Sequence, residues 1–402
     1  MKILLLCHEY PPLGGGGGVG AKQYAEAWAR KGHTVTVLTS WAPALPAHAR
    51  IHNVDVIRLS TVGLQGRATV PFLALLSYCV VGFCYLLRHF RSLRSHQVIN
   101  SHFSVPTGVL GVLAAKLLGL PHVLTIIGGD VYDPTKRSSP HRHFFMRAIN
   151  RLVINTADRL VAISSDTKHN AQKYYGITKA IQVVNYGFDP TDLPPGNCAS
   201  PPRADGVYRL IAVGRLISRK GFAYLIQAMA LLPTAIHLRI IGDGPLEAEL
   251  KELAIACNVA DRVTFAGYQA RQQIYQDLQQ ADCFVLSSVH EGLGIVVQEA
   301  MYAGLPIVAT NNGGQIDLLQ EPRNGLLVPP GDSHRLAAAI TQFYTNRQLG
   351  LTVGHHNRHD IEKYFMGTNA DEYIHLFSEL LCQNSAVESQ QQRAPIVTEK
   401  VR

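Results

Sequence analysis

A rhythm that runs twice along the chain limits its fold more than any single motif. In residues 1–190 short apolar runs, "KILLLC", "HTVTVLT", "QVINSH", "HVLTIIGG" and "RLVAIS", are separated by helix-length stretches such as "AKQYAEAWARKG" and "GVLAAKLLGL". Near-continuous apolar runs suit strands buried on both faces, and the intervening helices supply the cover. A parallel sheet between two helical layers is therefore predicted. The rhythm breaks at "TDLPPGNCASPPRADG", residues 191–206, where Pro and Gly accumulate and periodicity is lost. It resumes with "YRLIAVGRL", "GFAYLIQAMALL", "HLRIIGDGP", "RVTFAGY", "ADCFVLSS", "IVVQEAMYAG" and "PIVAT". A chain of 402 residues exceeds what one core usually holds. Two doubly wound α/β domains, 1–190 and 207–365, with a linker at 191–206, are the expected organisation. Such a pair places a ligand in the cleft between them, at the carboxyl ends of both sheets.

The net charge of +8 is unevenly spread. Residues 1–195 carry 20 Lys and Arg against 9 Asp and Glu, and the remainder 17 against 20. A basic first half favours an anionic partner. The seven cysteines are scattered and odd in number, without a C-x-x-C pair, which fits a reducing, cytoplasmic compartment. "MKILLLCHEY" has too short an apolar core for a leader and reads as a first strand. The run "VPFLALLSYCVVGFCYLL", residues 70–87, followed by "RHFRSLR", is at the short limit for a membrane span. Pro71, Ser77 and Gly82 argue against a span, leaving a buried helix or a helix at the membrane interface. The Gln/Ser-rich tail, 384–402, is expected to be disordered.

"PPLGGGGGVGAKQYAEAW" joins the first strand to the first helix, where a dinucleotide fingerprint would also stand. That reading requires an acid after the second strand to hold ribose hydroxyls. Ser40, Trp41 and Ala42 stand there instead. Gly17 and Gly18 are better read as a mobile, side-chain-free wall that lets a ligand approach the backbone. No G-x-x-x-x-G-K-[ST] occurs, which removes the P-loop class.

In "VGRLISRKG", residues 213–221, Arg215 and Lys220 follow the first strand of the second domain, where two cations can hold a diphosphate. "IGDGP", with Gly242, ends the next strand in a form that allows close backbone approach. "EGLGIVVQEA" then sets Glu291 and Glu299 eight residues apart. From the residues alone that pair can cap a helix, clamp a metal, form an acid/base couple or grip hydroxyl groups.

These motifs in this order resemble the retaining glycosyltransferases of family 4. "VGRLISRKG", "SSVHEGLGIVVQEAMYAGLPIVATNNGG" and "NGLLVPPGD" match that family's second domain, including its E-x7-E signature. "GGVGAKQYAEAWARKGHTVTVLT" resembles its amino-terminal signature, and "NYGFDP" the motif ahead of its linker. The resemblance implies the GT-B fold, α/β, two facing Rossmann-like doubly wound domains with an interdomain cleft. It implies acceptor binding in the first domain, a nucleotide-sugar donor in the second, and a last helix, 366–383, that crosses back to the first.

By the same resemblance Arg215 and Lys220 bind the donor diphosphate and Glu299 the ribose. Glu291, with the backbone of Gly292, Leu293, Gly294 and Ile295, holds the transferred sugar. Gly17, Gly18 and Gly242 complete the donor site. No D-x-D occurs, and "DVYD" at 130–133 has the wrong spacing, so no metal or other cofactor is expected beyond the donor as co-substrate. Relatives carry a His where this chain has Ile127, which leaves Asp130 and His102 as candidates for contacting the acceptor or taking its proton.

The expected activity is retaining transfer of a hexosyl-type sugar from UDP or GDP to a glycan or lipid-linked acceptor in polysaccharide or lipopolysaccharide synthesis. Residues 70–94 are expected to make peripheral contact with the inner face of the cytoplasmic membrane, and no nucleic-acid partner is implied. A nucleotide-sugar epimerase or hydrolase, or a non-catalytic nucleotide-sugar binder, are the alternatives on the same architecture.

Overall fold

The computed structural model describes residues 1–41, 45–62, 72–191, 193 and 206–393. The first sheet comprises β1 (Lys2–Leu6), β2 (Thr34–Ser40), β3 (His48–Ile51), β4 (Val54–Leu59), β5 (Val98–His102), β6 (His122–Ile126), β7 (Arg159–Ala162) and β8 (Ile181–Val183). Its order is β3-β4-β2-β1-β5-β6-β7-β8, parallel except where β3 meets β4. Along β1, Ile3 and Leu5 enter the core beneath one helical layer while Leu4 and Leu6 enter the core on the opposite face. Successive side chains point to opposite faces, and both faces are covered, so the strand has no polar alternation.

Its helices are α1 (Gly16–Arg30), α2 (Phe72–Arg88), α3 (Phe90–Leu93), α4 (Thr107–Leu118), α5 (Phe144–Thr156) and α6 (Ser165–Tyr175). On one face α4 lies between α2 and α5 and touches both. Helix α1 begins inside the glycine run, at Gly16, earlier than a flexible loop would allow. Close packing explains it: a Cβ on Gly17 would come within 2.4 Å of Ile127, and one on Gly20 within 2.6 Å of the Tyr186 ring.

The second sheet comprises β9 (Tyr208–Val213), β10 (Ile236–Ile241), β11 (Val263–Phe265), β12 (Cys283–Leu286), β13 (Ile307–Thr310) and β14 (Leu326–Val328). All its strands are parallel, in the order β11-β10-β9-β12-β13-β14. Its helices are α7 (Phe222–Met229), α8 (Glu247–Ala256), α9 (Arg271–Gln279), α10 (Ile295–Tyr302), α11 (Ser333–Thr345) and α12 (Arg347–Asp360). The strand order reverses between β1 and β5 in one sheet and between β9 and β12 in the other. Such switch points open crevices at strand carboxyl ends.

The last helix, α13 (Met366–Arg393), returns to the first domain. Tyr373 packs edge-on against Tyr24 and Trp28, and its hydroxyl meets Thr125 Oγ1 at 2.9 Å beneath the first sheet. Asn369 donates to the Asn185 carbonyl at 2.7 Å. The helix continues through Arg393, into the stretch expected to lack structure. Gln, Ala and Glu are adequate helix formers, and extending a helix already nucleated by packing costs little. Residues 394–402, and the linker apart from 191, 193 and 206, lie outside the described residues. Among the described residues no helix is long and apolar enough to cross a membrane. In α2, Ala74, Tyr78 and Leu86 face the core and Leu73, Leu76, Val80 and Leu87 face out.

Candidate functional site

Between the carboxyl ends of the two sheets lies a cleft of about 550 Å³. Its second-domain wall is built from two loops. The first leaves β9 through Gly214 and Arg215, and Arg215 lines the cleft. Gly242, at φ +139°, supports this turn from behind: a Cβ there would meet the Gly214 carbonyl at 2.0 Å. Gly242 therefore shapes the Arg215 loop and is not part of the cleft lining.

A single 3-10 turn, Ser218–Lys220, follows. It is stitched to the second loop by Val289 N–H to the Arg219 carbonyl, 2.8 Å, and by the Ser287 hydroxyl to the Lys220 carbonyl, 3.0 Å. Lys220 Nζ donates to Glu291 Oε2, deep in the wall. Burial would raise the Glu291 carboxyl, but Lys220 and Arg219 outweigh it and hold the group down at about 2. Burial lowers Lys220 despite the attraction of Glu291. Glu291 lines the cleft, whereas Lys220 stands behind it, its charge matched. Beyond Glu291 the chain passes through Gly292 and Leu293 into α10, whose N-cap is Gly294 at φ +89°, with no side chain capping it. Gly292, Leu293, Gly294 and Ile295 all line the cleft.

Helix α1 starts on the facing wall with Gly15 as its N-cap. Gly15, Gly16 and Gly17 line the cleft, and Glu9 accepts from Gly15 N–H at 3.0 Å. Gly18 faces inward, where a Cβ would lie 2.9 Å from the Glu9 carbonyl oxygen. Lys136 adds a cation to this wall; desolvation lowers its pKa, while Asp133 opposes the shift. His8 lies against Phe103, ring centroids 4.5 Å apart, and its Nδ1 is 2.9 Å from Thr107 Oγ1. Burial pushes the His8 pKa down, so the imidazole is neutral near pH 7.

Asp130 belongs to this wall too, but its oxygens serve the backbone. One accepts from Ser104 N–H at 2.6 Å and the other from Ile127 N–H at 3.1 Å, which fixes the turn after β6. Burial raises its pKa against the pull of those bonds. His102 is not brought to the cleft. At the end of β5 it is fully buried, stacked on Tyr186 and 3.0 Å from that hydroxyl, and Tyr186 occupies the cleft wall in its place. Glu299, on α10, is not among the residues that line the cleft, and its Oε1 accepts from Arg271 Nε at 3.2 Å.

Polar contacts fasten the domains to each other beside the cleft. Arg219 Nη1 is 3.5 Å from Asp133, His290 Nε2 is 2.9 Å from Asp166, and Ser165 N–H donates to Asp317 at 2.6 Å. Two helix starts and the side chains of Arg215, Arg219 and Lys136 thus converge on one space. Free amides at a helix start and nearby cations favour an anion of phosphate type. Sequence reading missed Arg219, Lys136, His8 and Glu9. Arg219 was within reach, since it stands between Arg215 and Lys220 in "VGRLISRKG".

Residues 199–364 match the family described as "Glycosyl transferases group 1", and residues 14–192 match "Glycosyltransferase Family 4". A GDP-mannose-dependent alpha-(1-6)-phosphatidylinositol monomannoside mannosyltransferase of Mycobacterium tuberculosis is 28% identical, over 88% of this chain and 91% of that protein. The sucrose-phosphate synthase of Thermosynechococcus elongatus shares the fold with a TM-score of 0.82 at 22% identity, covering 95% of this chain and 100% of that one. The Anabaena protein HepE, solved in complex with UDP-glucose, shares it with a TM-score of 0.74 at 21% identity, covering 94% and 100%.

Proposed function

Since this chain belongs to the group 1 glycosyltransferases of family 4 and has their GT-B fold, we propose that it moves a sugar from a nucleoside-diphosphate donor to a glycan or lipid-linked acceptor, with retention and without a metal. The observation that carries this reading is the convergence of two helix starts with glycine N-caps, and of Arg215, Arg219 and Lys136, beside Glu291. A diphosphate seated there gains both hydrogen bonds and charge, in the role a metal would otherwise play. Glu291, ionised and braced by Lys220, accepts hydrogen bonds from sugar hydroxyls. Arg271 holds one oxygen of Glu299, and in this reading the other oxygen accepts from the ribose hydroxyls.

In the reaction the anomeric C–O bond to the diphosphate breaks and its electron pair leaves with the phosphate oxygen. The acceptor oxygen bonds to the same carbon from the same face, and its proton passes to the departing phosphate. Arg215 and Arg219 stabilise the charge that gathers on that phosphate. The mycobacterial relative, by name, uses GDP-mannose and a phosphatidylinositol monomannoside, which favours a lipid-linked acceptor here. Contact of residues 70–94 with the cytoplasmic face of the membrane belongs to the same reading.

Isothermal titration with UDP and with GDP tests the donor site: one of them binds, and Arg215→Ala weakens it. Failure of both to bind defeats the proposal. Product analysis with donor alone tests the chemistry, since rapid turnover without acceptor would favour a hydrolase or epimerase.

A further inference from the structure

Helices α2, α4 and α5 lie side by side on the outer face of the first sheet, and their outward surface is apolar. On α5, Phe144 is 84% exposed, Phe145 80% and Leu152 67%, with Ile149 between them. Spacings of one, five and eight residues from Phe144 put all four on one side of the helix. Leu113 on α4 and Leu73, Leu76, Val80 and Leu87 on α2 extend the surface. An exposed apolar surface of this extent marks an interaction site.

Its charge identifies the partner. Between Asp55 and Asp158 the sequence has only two acids, Asp130 and Asp133, and both are buried. Arg142, Arg147 and Arg151 accompany α5, Lys116 stands on α4, and Arg88, Arg91 and Arg94 end the α2–α3 segment, all exposed. None of these seven forms an ion pair among the described residues. Two copies of so basic a face repel each other. Apolar side chains ringed by cations suit the headgroup and acyl boundary of an anionic bilayer.

We infer that the α2–α4–α5 face docks on a membrane rich in anionic phospholipid, with Phe144 and Phe145 as its insertion wedge. Of residues 70–94, the described ones, from 72 on, are only part of this surface, and α5 supplies the rest. The inference does not depend on the identity of the donor. It also sets the direction of the cleft. Leu75 in α2, Val105 just before α4, and Lys136 and Ser138 ahead of α5 all line it. The cleft therefore opens at the edge of the docked face, so a substrate anchored in the bilayer reaches Lys136 without leaving the membrane.

Flotation of the full chain with phosphatidylglycerol/phosphatidylcholine vesicles at low ionic strength is the test, with pure phosphatidylcholine vesicles as the comparison. Binding to the anionic vesicles is expected, and Phe144→Ser/Phe145→Ser and Arg147→Glu/Arg151→Glu should each weaken it about tenfold. Unaltered UDP or GDP binding by these variants shows that they remain folded, and circular dichroism melting gives the same control if neither nucleotide binds. Failure of the wild type to float, or binding indifferent to both variants, overturns the inference. So does a stable dimer in sedimentation velocity that Phe144→Ser/Phe145→Ser abolishes. Vesicle binding without nucleotide binding would defeat the donor reading and leave this one standing.

Discussion

Each wall of the cleft buries one carboxylate, and the two are held in opposite ways. Glu291, in the second domain, is matched to the Lys220 ammonium, which together with Arg219 carries its pKa down to about 2 although burial pushes it up. Asp130, in the first domain, faces no paired cation and instead accepts two backbone N–H bonds, and burial raises its pKa. The second-domain wall is thus an electrostatic device that stays charged at neutral pH. The first-domain wall is a packed scaffold, in which an acid shapes a turn and a helix start presents its backbone. Similar residue types do different work because one loop brings a cation with it and the other does not.

The largest effect should come from uncoupling the charged pair. Glu291→Ala strands the Lys220 ammonium in the wall and should cost about 3–5 kcal/mol in urea unfolding, with Glu291→Ala/Lys220→Met recovering much of the loss. Because the native pKa is depressed from 4.5, the stability contributed by Glu291 is present above that value and is lost as pH falls towards about 2. Glu291→Gln should flatten the acid side of the stability curve over that window. A loss under about 1 kcal/mol for Glu291→Ala would mean that the pair does not hold the wall together.

Arg215→Ala should weaken UDP or GDP binding by about 10- to 100-fold, as expected for a lost hydrogen bond to a charged group. Lys136→Ala, on the opposite wall, should weaken it by less than about tenfold. The reverse ranking in isothermal titration would assign the diphosphate to the first domain.

Gly17→Ala tests whether the first-domain wall is a matter of packing. Its methyl group would sit against Ile127 and Phe103, and overpacking of this kind costs about 1–3 kcal/mol. A thermal midpoint equal to wild type would show that α1 yields there.

Asp130→Asn should cost about 1–3 kcal/mol, since Asn keeps one acceptor oxygen but turns an amide NH2 against the other of the two backbone N–H groups. A raised pKa means that the stability Asp130 contributes is greatest at low pH and is lost as pH rises through its native value. Unfolding followed from acid to neutral pH should therefore show the gap between wild type and variant shrinking. A gap that widens would make Asp130 a charged partner like Glu291 and remove the contrast.

The two walls also differ in how far they could be read from the chain. "VGRLISRKG" and "EGLGIVVQEA" place Arg215, Glu291 and the start of α10 within short segments, and strand carboxyl ends carry those segments to one place. The first-domain wall takes Glu9, Phe103, Ile127 and Lys136 from four separate loops, and no spacing in the sequence joins them. His102 shows the cost of this. Its position at a strand end pointed to the cleft, but strand alternation turned it into the core beneath Tyr186. Glu299 shows a related limit, because Arg271, the partner that holds one of its oxygens, lies 28 residues earlier on another helix.

By itself the sequence determined two doubly wound sheets, the approximate site of the linker, and a cationic second-domain loop beside a glutamate. These rest on periodicity and on residues close together in the chain, where local geometry decides the outcome. Tertiary structure alone decided which side chains face the cleft, that Lys220 spends its charge on Glu291, and that the acid-poor surfaces of α2, α4 and α5 form one face. Those facts depend on which distant segments meet, and burial and pairing change what a residue can do only once they have met.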